Sequence, residues 1–342
     1  MDKKIKTAIV GFGKSGSIFH LPILECLNEY EIKSVVSSDE KKVKKRLPDV
    51  EVYSSLDELL DKSPVDLVII TSPNHLHYEQ AKKCILKKKH VVVEKPFVLD
   101  THHGKELISL ADEQNIKLTV YHNRRWDSGF LTLKKIIHEN KLGKINLHEI
   151  RFDRYRPAIT NKWREDNIPG SGILWDLGSH LIDQALCLYG IPNSILADTA
   201  IQKENGKTID YFHIILIYNT LRVILRSSSL SHIKTPHLTV QGEKGVFVRH
   251  EMDSQEEALK SGKNPNSKGW GKDTNKNTFI YTNHGSNITS EEIESETGSY
   301  EIFYIELAKS IRENTPVPVD PQKALEVVNI IQFIEKNSLH PN

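Results

Sequence analysis

Thr7-Ala8-Ile9-Val10 runs straight into Gly11-Phe12-Gly13-Lys14-Ser15-Gly16, and apolar residues at helical spacing follow through Ile18, Phe19, Ile23, Leu24 and Leu27. A short buried strand that ends in glycine and restarts as a helix commits this part of the chain to a parallel sheet. The spacing of the glycines also carries chemistry. Gly11 permits a tight turn, Gly13 lets backbone approach a pyrophosphate, and Gly16 lets strand and helix pack, with the helix N-terminus facing the phosphates. Phe12 and Lys14 share that loop and its expected cofactor contact. G-x-G-x-x-G alone is a weak signal; between a strand and a helix it points to a dinucleotide. Pro22 should kink or divide the helix.

The alternation continues. Residues 32–36, 51–53, 65–70, 91–93 and 118–121 read as strands, and residues 56–60, 77–87 and 103–115 as helices, which predicts a doubly wound α/β domain over residues 1–122. An acid at the end of the second strand would hold the ribose of NAD. Here stand Ser37-Ser38-Asp39, followed by Lys41, Lys42, Lys44, Lys45 and Arg46. Small hydroxyls and then cations suit the 2′-phosphate of NADP, with Ser37, Ser38 and Lys42 as contacts. A register two residues later makes Asp39 the ribose acid, so NAD stays open. Thr71-Ser72-Pro73-Asn74 after the fourth strand, His77 opening the next helix, and Glu94-Lys95-Pro96 after the fifth should border the cofactor crevice. A desolvated lysine beside a cationic nicotinamide releases its proton more readily, and Lys95 can donate to a carbonyl or relay a proton.

Residues 123–342 form the second predicted domain, an α+β one. Strand-like runs at 146–154, 195–202, 208–218, 221–230, 237–240 and 245–249 come without intervening helices, which implies a mostly antiparallel sheet. Asn219-Thr220 reads as a hairpin turn. Residues 254–270 read as an irregular loop with one short helix, and amphipathic helices at 300–313 and 322–336 close the chain. A helix at 173–189 carries Asp176 and His180 four residues apart on one face, where a carboxylate can fix the imidazole tautomer and support acid–base work.

With 46 basic and 45 acidic residues among 342, the net charge of +1 gives no field for nucleic acid or a membrane surface. Cys26, Cys84 and Cys187 are odd in number and widely spaced, which suits a reducing cytosol. The charged start has no signal segment, and the apolar runs are strand-length. A cytoplasmic protein with no metal is expected, since the histidines show no ligand spacing.

The glycine turn, Glu94-Lys95-Pro96 and Asp176-x-x-x-His180 together resemble the Gfo/Idh/MocA oxidoreductases over the whole chain. Tyr121-His122-Asn123-Arg124-Arg125-Trp126-Asp127, Asp153-Arg154-Tyr155-Arg156-Pro157 and Trp175–Gln184 look like the bacterial branch that holds NADP-dependent scyllo-inositol dehydrogenases. The resemblance implies a Rossmann domain followed by an open-faced sheet domain, hydride transfer to or from a cyclic polyol or sugar, and Lys95, Asp176 and His180 as the catalytic set. It implies that the Lys95–Pro96 peptide is often cis, and that Trp163 and Arg164 approach the cofactor. Asn123, Arg124, Trp126 and Tyr155 would contact a polyol, mixing donors, acceptors and flat aromatic surface. A homodimer or homotetramer through the C-terminal sheet would follow. Two positions depart from the pattern: Asp39 stands where the inositol enzyme has arginine, and Gly129 where relatives often have aspartate. The alternatives are a sensor or co-regulator of this fold, which usually loses part of the catalytic set, and a reductase of another small carbonyl.

Overall fold

The computed structural model describes residues 3–160, 162–275, 277–282 and 288–338. The chain forms two compact units. The first comprises Met1–Asn123, Gln255–Trp270 and Ser299–Val328; the second comprises Arg124–Ser254, Gly271–Gly298 and Asn329–Asn342.

The first unit is built on β1 (Ile5–Val10), β2 (Tyr30–Val36), β3 (Glu51–Tyr53), β4 (Leu67–Ile70), β5 (His90–Glu94) and β6 (Leu118–Tyr121). All pair in parallel, in the order β3-β2-β1-β4-β5-β6. Each strand lies where the apolar runs predict it, with ends moved by a residue or two. Ala8, Ile9 and Val10, Leu67 to Ile70, and Val91 to Val93 are all buried, as expected of a sheet covered on both faces. The order reverses between β1 and β4, and ligands of such sheets bind outside the strand ends at that switch. After the glycine turn the helix divides: a π-helical stretch, Ser15–His20, precedes Leu21–Leu24, which has proline in its first turn. Pro22 has no N–H to continue the helical ladder, so the break falls at its position.

Segments far along the chain complete this unit. Tyr30 Oη donates to the Tyr304 carbonyl at 2.6 Å, and Thr119 Oγ1 to the Val319 carbonyl at 2.8 Å. Tyr121 and Phe303 meet edge to face at 4.9 Å. Leu325 occupies the room that Gly104 leaves by having no side chain.

The second unit carries β7 (Ile145–Arg151), β8 (Ser194–Ala200), β9 (Tyr211–Tyr218), β10 (Leu221–Ser228), β11 (Leu238–Gly242), β12 (Gly245–Arg249), β13 (Asn277–Thr282) and β14 (Ile288–Ile293). Their order is β14-β13-β12-β11-β7-β10-β9-β8; β7 and β10 pair in parallel and the other neighbours antiparallel. Tyr218 faces Leu221, so Asn219-Thr220 is the two-residue hairpin that the sequence indicates. Phe212, Ile214 and Leu216 are buried while His213, Ile215 and Ile217 are half-buried, the signature of a sheet covered on one face. Strands β13 and β14 extend the sheet beyond what the apolar pattern predicts. Strand β14 is an edge strand with Ser290, Glu291 and Glu292 at its centre, and such residues hide the alternation that marks a strand.

Arg249 is only 1% exposed. It pairs with the equally buried Asp273 and donates to Ser128 Oγ, Asn277 Oδ1, Ser295 Oγ and the Glu251 carbonyl. The pair also bears on Gly129. A Cβ at Gly129 would lie 2.6 Å from Arg249 Nε, so the buried guanidinium occupies the room that a side chain there would need.

Two histidines tie this unit's stability to pH. Burial pushes the imidazole of His148 down to about 3, with His237 beside it adding to the shift. Burial likewise takes His237 down to about 4, against a hydrogen bond to the Arg151 carbonyl that favours the proton. Both titrate near 6.5 when unfolded. Between 6.5 and these folded values the unfolded chain holds more protons, so stability falls as pH drops through that window. The expected loss at pH 5 is on the order of 2 kcal/mol for each imidazole. Thermal midpoints taken between pH 7.5 and 5 check this: His148→Gln should flatten the dependence, and an unchanged slope would refute the assignment.

Candidate active site

In the first unit the site is built around the glycine turn. Gly11 has φ +92°, a conformation that suits glycine, and a Cβ on Gly16 would overlap the Gly11 carbonyl oxygen. Thr71 Oγ1 donates to that carbonyl at 2.7 Å and stitches the loop after β4 to the turn. A Cβ on Gly13 would meet nothing within 4 Å. The turn therefore offers open space where a pyrophosphate needs close backbone, and these residues fit a dinucleotide.

Strand β2 ends at Val36, so Ser37 and Ser38 stand at its carboxyl end. Asp39 is the N-cap of the helix Glu40–Arg46 and accepts from Lys42 N at 2.9 Å; its own N–H donates to Ser37 Oγ at 3.1 Å. Lys42 Nζ donates to the Phe12 carbonyl at 2.9 Å, tying this helix to the turn. Lys44 and Arg46 are engaged elsewhere, with the Pro48 and Val50 carbonyls and with Glu25.

Glu94 closes strand β5 and Lys95 follows it; the Lys95–Pro96 peptide is cis, as the resemblance implies. Glu94 Oε1 accepts from Ser15 Oγ and from His20 Nε2, the latter at 2.9 Å, while Oε2 accepts from Lys95 N at 3.0 Å. His77 is fully buried between the Pro96 carbonyl at 2.8 Å and the Ser72 carbonyl at 3.0 Å, and so braces the loops after β4 and β5. Lys14 lies over the Phe19 ring, and Asn74 is buried.

In the second unit Asp176 lies in a π-helical stretch, Leu174–Gly178, and His180 in the helix Ser179–Tyr189 that continues it. A π segment within a helix often marks a functional site. Asp176 Oδ1 lies 3.6 Å from Arg164 Nε, and Arg164 lies over the Trp163 ring at 4.6 Å. Trp163 and Arg164 thus lie in the same corner as the acid. Gly170 and Gly172 both have φ +80°; Gly172 packs against the backbone of Ile209, which accepts from Ile173 N at 2.9 Å.

The helix expected over residues 173–189 is buried on more than one face. Ser179 through Ala185 are all buried, Asp183 and Gln184 included. These two are partnered. Arg125 donates to Asp183 through Nε at 2.9 Å and Nη2 at 2.6 Å, and Gln184 Nε2 donates to the Arg124 carbonyl at 3.0 Å. Arg124 pairs with Asp127 at 3.2 Å and lies 5.1 Å from the centre of the Phe152 ring. Arg124 and Trp126 are buried on the single turn Asn123–Trp126. Tyr155 is half-exposed, and its ring lies tilted against that of His232 with centres 3.6 Å apart. In the first unit Ser15, His20 and Tyr304 brace Glu94, and in the second Asp183 and Gln184 brace Arg125 and the Arg124 backbone; these roles escape a reading of motifs. The available signal is a polar residue inside an apolar helical run, as at His20 and at Asp183-Gln184. Among the described residues, no cluster of three His, Cys, Asp or Glu side chains could hold a metal, and no helix is long and apolar enough to cross a membrane.

Residues 5–122 match the family description "Oxidoreductase family, NAD-binding Rossmann fold", and residues 134–338 match "Oxidoreductase family, C-terminal alpha/beta domain". The chain belongs to the Gfo/Idh/MocA oxidoreductase family. A scyllo-inositol 2-dehydrogenase (NADP(+)) of Bacillus subtilis is 41% identical over 335 residues, covering 98% of this chain and 94% of its own. An uncharacterized oxidoreductase of Escherichia coli, YdgJ, is 36% identical, covering 99% and 98%. Among solved structures, the Bacillus subtilis protein yvaA superposes with a TM-score of 0.94 at 40% identity over 98% of this chain and 96% of that one. An oxidoreductase from Bacillus cereus gives 0.88 at 30% identity, covering 99% of each. The Rossmann domain of this Gfo/Idh/MocA chain is thus an NAD(P)-binding one.

Proposed function

We propose that this chain is an NADP-dependent dehydrogenase acting on one secondary alcohol, or the matching ketone, of a cyclic polyol or sugar, with scyllo-inositol and its inosose as the leading pair. The observation that carries this reading is the 41% identity, over 98% of the chain, to a protein described as an NADP(+) scyllo-inositol 2-dehydrogenase. Bound NADP supplies the hydride acceptor or donor. Lys95, Asp176 and His180 are the catalytic set. In oxidation His180 or Lys95 takes the hydroxyl proton, and in reduction the same group returns it. Asp176 holds the imidazole orientation. Asn123, Arg124, Trp126 and Tyr155 contact the ring hydroxyls, since each buried hydroxyl left unpaired costs about 1–3 kcal/mol. A screen of inositols, inososes and aldoses that follows NADPH absorbance tests the substrate class. Turnover of a non-carbohydrate carbonyl with no response to any polyol would remove it and leave the hydride chemistry.

The preference for NADP over NAD is a separate expectation. Ser37 and Ser38 stand at the end of β2, where an NAD enzyme would carry its ribose acid, and the carboxylate of Asp39 is occupied as a helix cap. Each charge-assisted contact to a 2′-phosphate contributes about 1.5–3 kcal/mol, so kcat/KM should favour NADP by at least tenfold. Equal use of NAD would mean that Asp39 leaves its cap to bind the ribose.

A further inference from the structure

Glu94 stands at the carboxyl end of β5 with a fixed partner for each oxygen. Ser15, which lies between the second and third glycines of the turn, and His20 hold Oε1, and the peptide N–H of Lys95 meets Oε2. The side chain is 13% exposed, and that of His20 is wholly buried. Behind it, His20 Nδ1 meets the hydroxyl of Tyr304. One tautomer satisfies the whole file: the phenol donates to Nδ1, and Nε2–H donates to the carboxylate. Tyr304 is itself wedged against Tyr30, Tyr121 and Phe303, with ring centres 5.6, 5.8 and 5.1 Å away. The file therefore runs from the core of the first unit out to the glycine turn, and it leaves the carboxylate no freedom to swing away. The carboxylate also stays ionised. Burial alone would raise its pKa, but the hydrogen bond from His20, the charge of Lys95 and the hydrogen bond from Ser15 more than offset this and hold it below the usual carboxylate range.

The mechanism proposed above makes no use of this charge. We propose that Glu94 is an anchored anion that makes the dinucleotide site of the first unit bind the oxidised cofactor more tightly than the reduced one, with His20 and Tyr304 as positioning residues that act through it. The inference rests on the reading of this site as the NADP site. The oxidised nicotinamide ring carries a positive charge and the reduced ring carries none, while the phosphates of the two forms are alike. A fixed anion at a strand end beside the glycine turn thus separates the two forms through the ring alone, and a partly desolvated setting strengthens that effect.

The test is the ratio of dissociation constants for NADP+ and NADPH, measured by fluorescence titration on the full chain. Glu94→Gln should weaken NADP+ about tenfold and leave NADPH within about twofold. Glu94→Asp keeps the charge and should keep the ratio, even if both affinities fall. Tyr304→Phe removes the proton donor to His20 and should move the ratio the same way as Glu94→Gln by a smaller factor. If Glu94→Gln weakens both forms equally, the carboxylate only braces the loop and the inference is overturned while the cofactor reading stands. If the parent chain binds neither form, the cofactor reading falls and takes the inference with it.

Discussion

His180→Ala and Lys95→Ala should each lower kcat by about 10²–10⁴-fold, the range that a positioned acid–base group contributes, while the dissociation constant for NADP stays within a few-fold of the parent. Lys95 follows directly on the strand that ends at Glu94, and its peptide N–H is fixed by that carboxylate, so truncating its side chain removes the amine and leaves the loop in place. His180 is 7% exposed on a helix anchored through Asp183 and Gln184, so its loss leaves the helix where it is. Asp176→Asn should cost less than His180→Ala, because the imidazole remains and only its orientation suffers. It should also release Arg164, the ion-pair partner of Asp176. Steady-state kinetics beside cofactor titration separate these effects, and a thermal melt of each variant guards against unfolding. A His180→Ala protein with near-normal kcat would take the histidine out of the mechanism and leave Lys95 as the proton donor.

The second large effect is on stability. Asp273→Ala should lower the free energy of unfolding by about 3–5 kcal/mol, the usual cost of leaving one member of a buried ion pair alone. Arg249 is held at 1% exposure by a set of neutral acceptors that cannot replace the lost charge. Asp273 also accepts from Ser128 Oγ in the first turn of the helix Ser128–His138, so its loss loosens that helix start as well. Asp273→Asn preserves the shape and should show most of the same loss. Denaturant melts report it as a lower midpoint at constant slope. A change below about 1 kcal/mol would mean that water reaches Arg249 in the variant.

The parallel sheet is legible in the sequence because each of its strands is a short apolar run bounded by turn residues, and the glycine turn is legible because all its parts lie within ten residues of β1. What escapes reading has three physical causes. The π segments at Ser15–His20 and Leu174–Gly178 differ from α-helix in hydrogen bonding, and apolar spacing barely registers that difference. The His20–Tyr304 contact joins residues 284 apart, and nothing local in either one announces the other. Asp39 is ambiguous as a letter: strand-end acid and helix cap are both roles for aspartate, and the bond from Lys42 N that makes it a cap is not visible in the sequence. In the second unit the Arg125–Asp183 pair joins residues 58 apart, and nothing local announces that either.

The first unit draws on three stretches of chain, and its core includes Phe303, Tyr304 and Leu325. During synthesis, which generally lets N-terminal domains fold first, all six parallel strands leave the ribosome long before the helices that pack against Tyr121 and Gly104 exist. The nascent sheet must wait, part-covered, for roughly two hundred further residues to be made. The same layout limits exchange between relatives. A single crossover near residue 123 would give one parent's sheet the other parent's Tyr304, Val319 and Leu325. A transplant of this cofactor module therefore has to carry Gln255–Trp270 and Ser299–Val328 with it.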